Sequence, residues 1–267
     1  MPPPKKLALR GSTRAKSGVE QLCYFRGGFG KLSEHLASEI RQLGSFVFLG
    51  VTVKKIDLDA QKINFVQTDV GKISAKHFLF TQATPLIAEL FSNCDKPAWL
   101  SRLNSIEYLG NICLILRLRN SLSQTYWLNV NDPGFPFVGV IEHTNFDAPK
   151  NYGGDHIVYL SRYLSVRDPI WSYTNVRYFE LAKSCLKIMF PSFEDDWVVE
   201  YKIWRSEHAQ PITGKNYSKI IPEYNMPFCN GKIATMAQIY PEDRGTNYAI
   251  REGEKIAEEI ISDLNVE

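Results

Sequence analysis

The sequence predicts an α+β fold, and three observations carry that prediction. Residues 46–80 hold short apolar or alternating segments separated by turn residues, the pattern of strands. Residues 105–205 repeat the pattern in longer stretches, interrupted at 173–190 by a helical period. Residues 232–250, KIATMAQIYPEDRGTNYAI, read as a strand, a sharp polar turn and the start of a helix. Several strands with one or two long helices make a mixed sheet flanked by helices.

Composition narrows the field. A chain of 267 residues with 44% hydrophobic and 22% charged residues can bury one large core or two. A net charge of +2 gives no electrostatic case for binding nucleic acid. The five cysteines are scattered without a CxxC pair, which points to reduced thiols and to no metal centre or disulfide framework. No apolar run approaches the ~18 residues a membrane span needs. The opening Met1-Pro-Pro-Pro-Lys-Lys lacks the apolar core of a signal peptide, so a cytoplasmic protein is expected.

Each element follows from local chemistry. Residues 1–20 are polar and basic and read as a tail. Gly27, Gly28 and Gly30 precede a helix whose Leu32, Leu36, Ile40 and Leu43 step at helical spacing, with Gly44 as its stop. Short strands are expected at 46–49, 51–56, 62–68 and 73–80, the last two flanking the turn Asp69-Val70-Gly71-Lys72. A helix over 85–91 carries Pro85 in its first turn. Strands are expected within 105–119 and at 126–130, 137–142, 155–164 and 197–205. The polar group Ser206-Glu207-His208-Ala209-Gln210-Pro211 follows the last of these. A strand over 232–239 then enters the Pro-, Asp- and Gly-bearing turn 240–245. Thr246 or Asn247 caps a helix running to about residue 264, with Ala249, Ile250, Ile256, Ala257, Ile260, Ile261 and Leu264 on one face.

The order of Gly-Gly before a helix, V-x-x-I at Val53 and Ile56, a hairpin with T-D-V-G-K, and FLFTQATP resembles the flavin-dependent amine oxidoreductases. That family includes monoamine oxidases, protoporphyrinogen oxidases and UDP-galactopyranose mutase. The resemblance covers about residues 8–262, and the wording of the later segments is similar to a bacterial subgroup near protoporphyrinogen oxidase. It implies a partial FAD-binding domain in two pieces, 21–92 and 231–267, with a substrate domain over 93–230 inserted between them. It implies FAD as cofactor, a small-molecule substrate, and oxidation of a C–N or C–C bond. Gly27, Gly28, Val53 and Thr81 match positions that meet the cofactor, and the family's last flavin-contacting turn falls on Tyr240 through Tyr248. Asp243, Arg244, Gly245, Thr246 and Asn247 are therefore the cofactor candidates there, since a helix N-terminus suits an electron-rich ring edge.

Family members begin with a strand and G-x-G-x-x-G, which no segment of this sequence supplies. A split or truncated flavoprotein, or a piece of a longer chain, is expected, with a separate nucleotide-binding chain as partner. For catalysis Glu142 and His143, at the end of an apolar strand, are the first candidates, and His208 and Gln210 the second. The bland reading of Glu142 and His143 is a hydrogen-bonded loop. Tyr126, Trp127, Phe135 and Phe137 would wall a flat pocket or simply pack a core. A mutase-like rival would need an arginine-lined diphosphate pocket, for which Arg102, Arg162, Arg167 and Arg205 are the available cations. A catalytically silent subunit is the reading outside the enzyme class.

Overall fold

A computed structural model describes residues 24–266. The chain divides into two compact units, Met1–Leu49 and Gly50–Glu267. In the first unit, Gly27 and Gly28 take φ of 86° and 93°, a left-handed backbone that favours glycine, and lead into α1 (Gly30–Gln42). No residue of α1 is buried. Residues 46–49 form no strand; Phe46 and Phe48 instead stack on each other at 5.9 Å and stay exposed.

The second unit opens with an antiparallel meander of β1 (Val53–Leu58), β2 (Ile63–Thr68) and β3 (Gly71–Ile73). The strand expected over 73–80 is broken in two, and its second part, β4 (Phe78–Phe80), belongs to another sheet. There it pairs in parallel with β10 (Gly231–Ile233), about 150 residues later, as Phe78↔Gly231, Leu79↔Lys232 and Phe80↔Ile233. Between β4 and β10 lie α2 (Thr84–Leu90), α3 (Pro97–Asn104), β5 (Tyr108–Leu118), β6 (Trp127–Asn129), β7 (Gly139–Glu142), β8 (His156–Leu164), α4 (Asn175–Met189) and β9 (Val198–Pro211). The chain ends in α5 (Thr246–Val266).

Two cores result. The larger lies on one face of the five-stranded sheet β6-β7-β8-β5-β9, whose pairs are all antiparallel, not mixed as expected. Along β5 the residues Ile112, Leu114, Leu116 and Leu118 alternate inward, as a strand's period of two requires, and α4 covers them with Tyr178, Ala182, Cys185 and Leu186. Burying each such aliphatic side chain contributes roughly 1.5–3 kcal/mol. α4 starts where the Thr174 hydroxyl accepts the Arg177 N–H, 3.2 Å away.

The second core joins sequence-distant pieces. Ile56, Ile63, Phe78, Phe80, Ile87 and Phe91 pack with Met226, Phe228 and Ile233. Asn230, 2% exposed, locks this junction: its side chain accepts from Ile63 N–H and donates to Ile63 C=O, both at 2.9 Å. Its own carbonyl accepts from Phe78 N–H at 2.8 Å.

Other expectations are corrected. The strand over 232–239 stops at Ile233, because the Gln238 side chain folds back to accept Thr235 N–H at 2.7 Å and closes a short 3-10 turn. His208 and Gln210 lie inside β9, which runs to Pro211 because β5 offers partners as far as Tyr108. Of the apolar face expected on α5, Ile256 is fully buried, whereas Ile250, Ile261 and Leu264 are exposed. Among the described residues no helix is long and apolar enough to cross a membrane.

Candidate functional site

Parallel strands lead their carboxyl ends to one edge, and ligands of open α/β sheets collect outside that edge. β4 and β10 do this side by side: after β4 come Thr81 and Gln82, and after β10 Ala234 donates its N–H to Phe80 C=O. Thr81 is exposed. The Gln82 Oε1 is buried without a hydrogen-bond partner. Gln82 also lines a cavity of about 700 Å³ with Val51, Val53, Lys55, Leu86 and Asn93. Among the described residues β1 is the edge of its sheet, so Val53 brings backbone polar groups to this cavity.

The turn 240–245 is built by its own polar groups. Asp243 Oδ1 accepts Arg244 N–H at 2.9 Å. Glu242 pairs with Arg251 at 3.1 Å; backbone hydrogen bonding first, then this guanidinium, hold its carboxyl below the usual range. Gly245 C=O accepts from Tyr248 and Ala249, starting α5. A Cβ at Gly245 would sit 2.8 Å from Asn247 Oδ1. Thr246 and Asn247 are exposed at the helix start.

Arg244 differs from these. Its Nε and Nη2 are buried and have no hydrogen-bond partner. These two nitrogens form one edge of the guanidinium, the fork that takes a two-atom acceptor. The Arg244 charge lies near the Tyr217 hydroxyl, whose pKa burial raises and Arg244 partly restores.

Aromatic groups tie this turn to the strand ends. Tyr217 is fully buried, donates to Ala237 C=O at 2.8 Å, and lies 5.4 Å from the Tyr240 ring. With Ile106 and Ala237 it forms a small cluster against which Tyr108 packs. The Tyr108 hydroxyl accepts Thr84 N–H at 3.3 Å, and its ring meets His208 edge-on at 5.3 Å. Thr84, Tyr108, His208, Tyr217, Tyr240 and Arg244 thus form a connected group beyond the ends of β4 and β10. Sequence reasoning missed Tyr108 and Tyr217. The only signal was a single aromatic, between Glu107 and Leu109 in one case and Asn216 and Ser218 in the other, which says nothing by itself.

Glu142 and His143 lie elsewhere. Glu142, 1% exposed, accepts from Ser121 Oγ at 2.6 Å, Leu122 N–H at 3.2 Å and Ser123 N–H at 3.0 Å, with His156 Nδ1 3.5 Å away. Through the register Glu142↔Val158↔Leu116 it stands beside the far end of β5. Tyr108 is eight residues back along that strand, so at about 3.3 Å per residue the two are roughly 26 Å apart along it. His143 Nε2 meets the Tyr152 hydroxyl at 2.6 Å, and that hydroxyl donates to Asp147 at 2.9 Å. Burial holds the His143 ring below its ordinary pKa, opposed by Asp147. Phe137 is a core residue and Trp127 is exposed. Gly27 and Gly28 belong to the first unit. Among the described residues no cluster of three or more metal-ligating side chains exists.

These features define an α+β protein with a short parallel pair and an aromatic group at its strand ends. Residues 5–222 match the model of the flavin containing amine oxidoreductases, and the chain belongs to that family. Its fold is shared by a protein described as a protoporphyrinogen oxidase from Exiguobacterium sp. 255-15, with a TM-score of 0.64 and 14% identity over 80% of this chain and 47% of that one. An oxidoreductase from Methanosarcina mazei gives 0.60 and 18% over 79% and 49%. A reduced UDP-galactopyranose mutase gives 0.59 and 15% over 73% and 42%. The chain therefore spans about half the length of these solved structures. No curated protein matches it.

Proposed function

We propose that this chain forms the ring-side and substrate-binding part of an FAD-dependent oxidoreductase that oxidises a C–N or C–C bond. The observation that carries the reading is the convergence of the β4 and β10 carboxyl ends with the turn 240–245 and the Tyr108–His208–Tyr217 group. The junction of residues 56–94 with 226–233 in one core supports a cofactor domain in two pieces, 21–92 and 231–267, around an inserted 93–230.

The residues fit a flavin. The Arg244 guanidinium, set against the Tyr217 hydroxyl, and the start of α5 present positive charge and N–H donors to the pyrimidine edge of the ring, which carries the negative charge after reduction. Val53 backbone and Gln82 face a cavity suited to an adenine. The isoalloxazine, when bound, supplies the hydride acceptor. Tyr108 and His208 then orient the substrate and exclude water. Glu142 serves as an anchor for the 121–123 turn, its oxygens being occupied, and His143 acts through Tyr152 and Asp147 on the same loop. Substrate oxidation thus asks little acid–base work of the protein.

The mutase reading is less favoured. Arg102, Arg162 and Arg205 are engaged on separate elements, by Lys219 C=O, Phe135 C=O and Tyr173 C=O respectively, and make no common diphosphate site.

Fluorescence titration with riboflavin and with FAD tests the proposal. The turn 240–245 serves the ring and the Gln82 cavity the adenine, so both ligands should bind, FAD at least about threefold more tightly than riboflavin. Arg244→Met should weaken both alike by about tenfold, the scale of a charge-assisted hydrogen bond. No quenching by either ligand at millimolar concentration would refute the assignment.

A further inference from the structure

The five-stranded sheet ends on β9, and among the described residues no strand pairs with its outer edge. What that edge offers follows from β5. Arg119 N–H bonds Trp197 C=O and Ile212 N–H bonds Glu107 C=O, each at 2.8 Å. Alternation along a strand then turns the backbone polar groups of Asn111, Cys113, Ile115 and Arg117 toward β9. Their partners there, Ser206, Trp204, Lys202 and Glu200, bond back to β5. Tyr201, Ile203 and Arg205 alternate with them and direct N–H and C=O outward.

The edge is regular only between two irregularities. Its register with β5 slips between Leu109 and Asn111 at one end and between Arg117 and Leu118 at the other, which leaves Glu200 through Ser206 in unbroken pairing. Bulges bend a strand and end its pairing, so this stretch is the part another strand can use. Ile203 is its middle residue. Proline, which would block it, is absent from it, and Trp204 is 64% exposed on the face away from α4. A cavity of about 360 Å³ lined by Asn175, Tyr201, Lys202, Ile203 and Trp204 lies along it.

We propose that two copies of this chain join here, β9 against β9 and antiparallel, about a two-fold axis at Ile203. Directly opposed residues share a sheet face, so a strand pairing with itself must centre on a residue, and Ile203 alone uses the whole regular stretch. The two Ile203 residues then exchange both ladder bonds, and Tyr201 does the same with Arg205 of the second copy. On the other face Lys202 stands opposite Trp204 of the second copy, twice by symmetry, bringing each ammonium to an indole. Glu200 faces Ser206, so no like charges meet. Centring on Lys202 would set that ammonium against itself, and centring on Tyr201 or Trp204 runs the pair into a bulge. A foreign strand would find the same backbone groups, but the match of Lys202 with Trp204 about one centre is met by a second copy without further requirement. Neither the flavin nor its site enters this contact.

Sedimentation equilibrium of the full chain without flavin should show a dimer at about 100 μM. On dilution to the monomer, exchange at the Tyr201, Ile203 and Arg205 amides should quicken by about tenfold, while the Lys202 and Trp204 amides, bonded to β5, keep their rates. Trp204→Lys makes Lys202 face a second ammonium and should weaken the dimer by about tenfold or more. The exchanged pair Lys202→Trp/Trp204→Lys should bring it back to within about threefold of the parent. Lys202→Ala, at an exposed position, should weaken the dimer by about threefold or more and serves if Trp204→Lys loses the parent's circular dichroism. Ile188→Lys, exposed on α4, should leave it intact. A chain still monomeric at about 1 mM, a dimer indifferent to loss of the Lys202–Trp204 match, an exchanged pair that restores nothing, or outward amides that ignore concentration would each overturn the proposal.

Discussion

Gly110 shows how one missing Cβ shapes the aromatic end of the molecule. A Cβ there would lie 2.7 Å from Trp171 Cζ3 and 3.2 Å from Ser206 C=O, and the β5–β9 register slips at this point, between Leu109 and Asn111. Neither an indole nor a backbone carbonyl yields easily, so Gly110→Ala should cost about 1–3 kcal/mol through overpacking, read as a drop in thermal midpoint. His143 makes the pH prediction at this scale. Because the Tyr152 hydroxyl donates to Asp147, its oxygen accepts from His143 Nε2–H, which fixes the neutral tautomer. The folded pKa is depressed, so the unfolded chain takes up the proton first. Stability from this group is complete above the unfolded value near 6.5 and declines as pH falls below it, with a slope of at most about 1.4 kcal/mol per pH unit. Thermal melts from pH 8 to 5 should show that decline. His143→Gln should flatten it in that window and leave unchanged the loss at lower pH from Asp195, whose carboxyl Lys187 and Lys183 hold below the usual range.

Among the elements, Asn230 decides whether the hairpin sheet and the parallel pair act as one. Replacing it with Ala leaves the Ile63 N–H and C=O buried without partners, a loss of about 2–4 kcal/mol for two such groups, measurable by urea unfolding. A cost under 1 kcal/mol would mean that water enters the junction and replaces the amide. The sequence said little of this. The helices α2, α4 and α5 and the strands β2 and β8 were legible because periodicity is local, as is the placement of Pro85 in the first turn of α2. The parallel pairing of 78–80 with 231–233 was not, since nothing within either tripeptide marks its partner. α3, with Pro97 in its first turn, went unread because Ala98, Leu100 and Leu103 are too few to establish a period. The continuation of β9 through His208 hid behind polar residues that read as a loop. At the candidate site the turn 240–245 was legible from its Pro, acids and Gly. Tyr108 and Tyr217 reach Thr84 and Ala237 only through tertiary packing.

At the scale of the whole molecule, the two cores share few of their defining residues' neighbours in sequence, and this bears on how a ligand would be felt. The sheet of five strands closes on α4 without help from residues 226–239, whereas the core of β1, β2, β4 and β10 depends on the Asn230 clamp and on a three-residue parallel pair. Stability in such a chain is uneven, and the part with the weaker closure opens first. Native-state hydrogen exchange on Asn230→Ala should therefore lose protection in β1, β2, β4 and β10 while β5 and β8 keep theirs. Riboflavin added to the unmodified chain should raise protection in the first group alone, since Val53 and Leu90, which pack on that core, line the Gln82 cavity. Equal loss across all six strands would show one cooperative unit, in which the flavin-side elements gain their order from the large sheet. The uneven outcome would instead mean that the elements around β4 are held only loosely until a ligand covers them. The same weakness that makes this half sensitive to Asn230 is then what makes its order responsive to whatever binds beside the Gln82 cavity.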